Sequence, residues 1–294
     1  MRKAGDPVGE RGSASMRLVA LCAFVLAFAA AASPQPPEIR YWPRPAGADA
    51  LSEVAERQAP ARIDPKLLVL IYHNLVFGRT GDIYNRDLYN FEHDLDFLTR
   101  NFRVIDFAEL LDMREGRTKA ATDVAVITFD DGDLSVYAIA YPLLKEYRLP
   151  ATFFVIPAFV GTVGYMDWQQ IREMSAYRDP DGRFPFSFES HSLTHRRLGE
   201  LGADELRREL AESKRAIEEV TGREAAALAL PFGSGAGDRA IIGAARELGY
   251  RIVRGSVPAA QGILELDPFD VRALSVENYS SDRLVREVLR LTGR

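Results

Sequence analysis

The sequence predicts an α/β fold built on a buried, mostly parallel sheet, and three observations carry that prediction. Short apolar runs alternate with amphipathic stretches over about 230 residues, the pattern of strands and helices packed in layers. The runs are nearly continuous in apolar residues, as strands covered on both faces are. One run, AVITF, ends abruptly in two adjacent carboxylates, Asp130 and Asp131, followed by Gly132. In parallel α/β folds the functional site lies at the C-terminal ends of the strands, so the acid pair marks that edge. From the residues alone, an irregular β/α barrel and an open doubly wound sheet both fit.

The elements follow in chain order. Residues 16–33, MRLVALCAFVLAFAAAAS, have the form of a secretory signal peptide, with Met16 as an alternative start. The apolar run Leu18–Ala32 is short for a membrane span of about 20 residues. Cleavage near Ala32 or Ser33 is therefore expected, in preference to an uncleaved anchor. The single cysteine, Cys22, lies in this segment behind Leu21, where lipidation would want a small residue. An exported chain without disulfides must be held by its core. Residues 34–65, with PQPP, read as a linker or tether, and residues 66–294 as one catalytic domain.

Within that domain the expected strands are Leu67–Tyr72, Val124–Phe129, Ala151–Ile156, Phe186–Glu189, Ala226–Leu230, Arg251–Val253 and Val271–Val276. Phe91, Leu95 and Leu98 share a helical face, as do Leu206, Leu210, Ile217 and Val220, with Gly222 as C-cap. Asp238 suits the N-cap of a helix carrying Ile241, Ile242, Ala245 and Leu248. The net charge of −5 is mild and gives no footing for nucleic acid or a basic membrane patch.

Four histidines are present, so each can be weighed. His191 and His195, in FESHSLTH, are four apart and would share a face if that stretch turns helically. Two imidazoles one turn apart make a metal pair to which a carboxylate adds a third ligand. With Asp131 as that ligand, the cation would cancel its charge and hold Asp130 ionised, free to act as a base. Asp-Asp-Gly also reads as a turn with Gly132 at positive φ, which explains the glycine but not the doubled acid. His73 ends the first apolar run and faces either the same rim or the core. His93 falls on the polar side of a helix. Trp168, before a helix, suits sugar stacking or core filling. The run LALPFGSG breaks at Pro231 and Gly233, offering backbone amides to a ligand or a plain strand exit.

TFDDG, PATFFV, H-S-x-x-H and a proline–aromatic–glycine turn, in this order, resemble the polysaccharide deacetylases, carbohydrate esterase family 4 with its NodB homology domain. The resemblance covers about residues 66–292. LVLIYHN, FEHDLDFLTRNFRVIDFAELL and YMDWQQIREM are most similar to the poly-N-acetylglucosamine deacetylase branch. It implies a single-domain distorted (β/α) barrel and metal-dependent hydrolysis of acetamido groups on exported polysaccharide. Asp130 then matches the base. Asp131, His191 and His195 match the ligands of one divalent ion, usually zinc, with cobalt or nickel as alternatives. Pro231 and Phe232 match an oxyanion turn, and Trp168 a groove-wall aromatic. The implied partners are an N-acetylated exopolysaccharide and its synthesis and export machinery, in the periplasm or outside the cell. No nucleic acid is implied, and no membrane span after signal removal.

Two positions depart from that pattern. Ala229 stands where many members carry the arginine that orients the base, and Val276 where many carry a late histidine acid. His73 is the expected replacement acid. Two other readings remain open from sequence: a carbohydrate-binding protein on the same scaffold, and a metal-dependent phosphoesterase, which would want more cationic groups at the rim.

Overall fold

The computed structural model describes residues 65–78 and 80–294. The expected signal peptide and tether, up to residue 64, lie outside the described residues. The strands are β1 (Lys66–Tyr72), β2 (Asn74–Val76), β3 (Asn85–Asp87), β4 (Arg103–Val104), β5 (Val124–Phe129), β6 (Ala151–Val155), β7 (Phe186–Ser190), β8 (Ala227–Ala229), β9 (Ile252–Arg254), β10 (Ala260–Gly262) and β11 (Leu274–Ser275).

Strands β1, β5, β6, β7, β8 and β9 run parallel in that order. The apolar runs are buried as their composition requires: every residue of β5 and β6 is buried, and all of β1 except Lys66. β10 adds an antiparallel edge against Lys66–Leu68. The expected strand Val271–Val276 is real but divided. Val271 pairs with Arg254 on β9, whereas Leu274 and Ser275 pair with Leu70 and Ile71 on β1. The segment changes partner because it spans the gap between the two ends of the curled sheet, so neither ladder is long. This makes the sheet an irregular barrel of the distorted (β/α) type rather than an open doubly wound sheet, and it places Asp130 at the C-terminal rim.

The helices form where their caps and faces predict. Leu88–Asn101 is capped by Asp87 and buries Phe91, Leu95 and Leu98. Ala203–Thr221 ends at Gly222, whose φ of 65° is the left-handed cap a glycine allows. Arg239–Glu247 starts at Asp238, whose carboxylate accepts the Ala240 N–H at 2.7 Å. No helix of the described residues is long and apolar enough to cross a membrane.

A buried ion pair and a buried carboxyl shape the barrel. Arg86 and Asp94 form a fully buried ion pair, and Arg86 also reaches the carbonyls of Glu277 and Tyr279 and the Ser281 hydroxyl. It thereby ties Leu88–Asn101 to the C-terminal helix Ser281–Thr292. Glu189 on β7 lines a cavity of about 160 Å³ near Asp106, Thr221 and Arg251. Burial raises its carboxyl to about 8, against the Ala227 N–H bond and the charges of Lys214 and Arg223, which lower it.

Glu189 therefore makes stability depend on pH. An acid whose pKa is raised by folding costs nothing below its unfolded value. The cost grows as pH rises from that value to the folded one, then stays constant. Glu189→Gln keeps an acceptor for Ala227, so it should stabilise the protein by on the order of a few kcal/mol at pH 8 and much less at pH 5. Denaturant midpoints at the two pH values check this, and an equal effect at both would overturn it.

Candidate metal centre and active site

β5 delivers the acid pair to the rim. Asp130 continues the strand, its N–H bonded to Tyr72 O at 2.9 Å. The chain then reverses through Asp131 at φ 70° and Gly132 at φ 82°. At Gly132 the turn needs its glycine twice over: the conformation is left-handed, and a Cβ there would meet Val155 Cγ1 at 3.2 Å.

β7 delivers the histidines. The stretch after Ser190 is not helical, contrary to the spacing argument. It is a kinked loop in which Ser192 and His195 both take left-handed conformations, with φ 62° and 61°. Those two kinks bring the imidazoles together, with centroids 4.9 Å apart. Phe232, on the turn after β8, is also left-handed at φ 57°. Non-glycine residues in this region carry strain of about 1–3 kcal/mol each, and such strain gathers at functional sites.

Asp131, His191 and His195 form a group in which one ligand atom from each lies within 4.8 Å of the others. Asp131 Oδ1 is 3.4 Å from His191 Nε2 and 3.3 Å from His195 Nε2. It is buried and has no hydrogen-bond partner among the described residues. Ligand atoms bound tetrahedrally at about 2.0–2.2 Å stand about 3.3–3.5 Å apart. The orphaned oxygen and its two nitrogen neighbours therefore fit a zinc-sized ion. The His191 ring is already oriented for ligation, since its Nδ1 bonds Ala229 O at 3.0 Å and leaves Nε2 to face the acids. Burial would raise the Asp131 carboxyl, but the close approach of His191 and the charges of His73 and His195 hold it at about 2. Burial and the neighbouring His191 push His195 below the ordinary histidine value. Both groups are thus in ligand form at neutral pH. Zinc affinity should hold near pH 7 and fall steadily below the ordinary histidine range, as protons compete for the imidazoles. A competition titration across pH checks this, and a flat profile down to pH 5 would argue against histidine ligation.

Beside the trio, Asp130 is 3% exposed. Its Oδ1 accepts a bond from Arg254 Nη2, and its Oδ2 lies 3.7 Å from His191 Nε2. Arg254 ends β9, is 1% exposed, and lies over the Phe154 ring at 4.9 Å.

The polysaccharide deacetylase family model matches residues 117–253, a span that holds Asp130, Asp131, His191 and His195. The YxkH polysaccharide deacetylase-family protein of Bacillus subtilis is 27% identical over 66% of this chain and 66% of its own length. The chain carries a polysaccharide deacetylase domain over just under half of its length. Members of this family hydrolyse N-acetyl amide bonds. The poly-β-1,6-N-acetyl-D-glucosamine N-deacetylase of Staphylococcus aureus is 36% identical over 23% of each chain, so this match spans about a quarter of that relative. Among solved structures, IcaB from Ammonifex degensii superposes with a TM-score of 0.64 at 25% identity, covering 78% of this chain and 98% of its own.

Two positions depart from the pattern that the resemblance implies. Ala229 leaves Asp130 without the expected arginine on β8. Arg254 stands directly across the β8–β9 ladder from Ala229, in register, and it reaches the same aspartate. The family match stops one residue short of it. Its sequence signal was available: RIVR is a short apolar run ending in a charge, the pattern that singled out Asp130. Val276 is buried and bonded by its N–H to Ile71 O, so it brings no acid to the rim.

His73 leaves β1 half-buried, with its ring 4.8 Å from that of Tyr84. It is near enough for its charge to act on Asp131 and His195. Phe232 is 57% exposed, its ring 4.6 Å from that of His195 and under the Arg197 guanidinium. Pro231 is buried behind it. Trp168 is the first residue of the helix Trp168–Ala176, capped by Asp167, and it packs half-buried on the main core. Phe159, its ring 6.4 Å from that of His195, and Tyr165, which packs near Phe159 and feels the Asp131 charge, add to the aromatic contacts around the site.

Proposed function

We propose that this protein is an exported, metal-dependent polysaccharide N-deacetylase that removes acetyl groups from a glycan of the poly-N-acetylglucosamine type. The observation that carries the reading is the orphaned Asp131 Oδ1 between two imidazoles, with an arginine-held carboxylate beside it. Asp131, His191 and His195 would hold one divalent ion, zinc by donor type, with cobalt and nickel compatible. When bound, such an ion polarises the amide carbonyl and makes water more acidic.

The chain's own groups do the rest. Arg254 fixes Asp130 through one oxygen and leaves the other facing the ligand pair, where it takes a proton from the attacking water. The Phe232 N–H, on the left-handed turn whose ring lies against His195, is assigned as a donor to the developing oxyanion. The leaving amine needs a proton, and His73 is assigned to give it. Trp168 is kept as a more distant groove contact. The branch resemblance and the staphylococcal relative support an exopolysaccharide substrate, made and exported by a separate machinery. The N-terminal signal pattern supports a periplasmic or secreted location.

His73→Ala should lower turnover by about 10²-fold, within the range for loss of one general acid, with zinc affinity unchanged. Full turnover in that variant would remove His73 from the mechanism. The test of the whole reading is acetate release from β-1,6- and β-1,4-linked N-acetylglucosamine oligomers, by metal-stripped and zinc-reloaded protein. Release that requires the metal and prefers β-1,6 linkage supports it. The competing reading, a binding protein on this scaffold, predicts oligomer binding with no acetate from either preparation. Arg254 weakens that alternative, because it supplies the contact whose absence from β8 had suggested a disabled site.

A further inference from the structure

We infer that Glu209, itself outside the ligand trio, is the positioning residue that sets the ligand loop between His191 and His195. Glu209 lies on the buried face of Ala203–Thr221, among Leu206, Leu210, Ser213 and Ile217, and is 5% exposed. Its carboxylate makes three bonds, all to the two residues that precede His195. Oε2 accepts the N–H groups of Leu193 and Thr194, both at 2.9 Å. Oε1 accepts the Thr194 hydroxyl at 2.5 Å.

One helical turn further on, Ser213 accepts the Ser190 hydroxyl at 2.8 Å, and Ser190 Oγ accepts the Ser192 N–H. Ser192 Oγ in turn accepts the His195 N–H at 3.0 Å. The loop is thus pinned to one helix on both sides of its first left-handed residue. A loop with two non-glycine residues at positive φ stays kinked only if its surroundings over-determine it. A carboxylate, acceptor-only with about four lone-pair sites, can take three donors at once, which a hydroxyl in its place cannot. With Glu209 removed, the N–H groups of Leu193 and Thr194 lose their acceptor, and the loop that sets His195 against Asp131 is held only through Ser192.

This inference rests on the metal-site reading, and its test separates the two. Zinc affinity is measured by competition with a chromophoric chelator, and apo stability by denaturant unfolding. Glu209→Ala should lose about 10–100-fold in zinc affinity, the range for removing an outer-sphere support. Glu209→Gln should recover most of it, because the amide oxygen can keep both N–H bonds and the NH₂ can donate to Thr194. Leu210→Ala, which removes a buried side chain of the same helix from the cluster with Leu228 and Tyr250 and takes away no hydrogen bond to the loop, should lower apo stability and leave zinc affinity as in the parent.

Glu209→Ala with parental affinity would overturn the inference, as would an equal loss in Leu210→Ala. Should Glu209→Ala fail to fold, Glu209→Asp retains the charge but falls one methylene short. Its affinity should lie below that of Glu209→Gln, and the reverse order overturns the inference. A parent protein that binds no zinc would overturn the metal reading itself, and the inference with it.

Discussion

Asp130→Asn is expected to lower acetate release by about 10²–10⁴-fold, the loss typical of a missing general base, while zinc still binds. Asp130 is outside the ligand trio, so metal affinity should be nearly unchanged. Stability should change, however, because Asp130 and Arg254 are a buried pair. Removing one member of such a pair leaves a charge with reduced compensation, at a cost of up to about 3–5 kcal/mol. Asn retains an oxygen that Arg254 can reach, so the cost should fall in the lower part of that range.

Arg254→Met is the more severe structural change, since it strands a buried carboxylate. It should destabilise the fold and reduce turnover together. The double variant, Asp130→Asn with Arg254→Met, should be more stable than the sum of the single effects predicts, by about 0.5–3 kcal/mol, and should stay inactive. Denaturant unfolding and acetate release on all four proteins check the cycle. Additive stabilities would mean that the pair is not coupled, and an active Asp130→Asn protein would end the assignment of the base.

Arg86→Met is expected to cost about 3–5 kcal/mol of stability with no change in the chemistry of the rim. Every guanidinium hydrogen of Arg86 has an acceptor: two on Asp94, one each on the carbonyls of Glu277 and Tyr279, and one on Ser281. Tyr72 adds a bond to Asp94 at 3.2 Å, and burial raises both the Asp94 and Tyr72 groups. Without Arg86, Asp94 must take up a proton or remain charged in the core. The melting temperature should fall by on the order of 10 °C for a domain of this size. Adding Asp94→Leu to Arg86→Met should recover part of that loss, because an apolar pair can fill the space without a stranded charge. A melting temperature within about 2–3 °C of the parent, the shift expected for only about 1 kcal/mol, would show that the pair contributes little.

The parts of this protein legible in its sequence are those set by local pattern. Continuous apolar runs marked β1, β5 and β6, because a strand covered on both faces has nowhere to place a polar side chain. Asp238 and Gly222 marked helix ends because capping is decided within one turn of chain. The acid pair and the paired histidines were legible only in combination: two imidazoles four apart after one strand mean little alone, but with a carboxylate doublet at the end of another they make a metal-ligand set.

What only the tertiary structure decided are the contacts between residues distant in the chain. Arg254 reaches Asp130 across 124 positions, and Arg86 reaches Ser281 across 195. The histidines converge through left-handed kinks at Ser192 and His195, where spacing had suggested a helix. Val271–Val276 splits its pairing between two edges because closing the barrel demands it. In each case the deciding term is the cost of leaving a buried charge or backbone group without a partner. That cost is incurred only once packing has excluded water, so no window of neighbouring residues contains it.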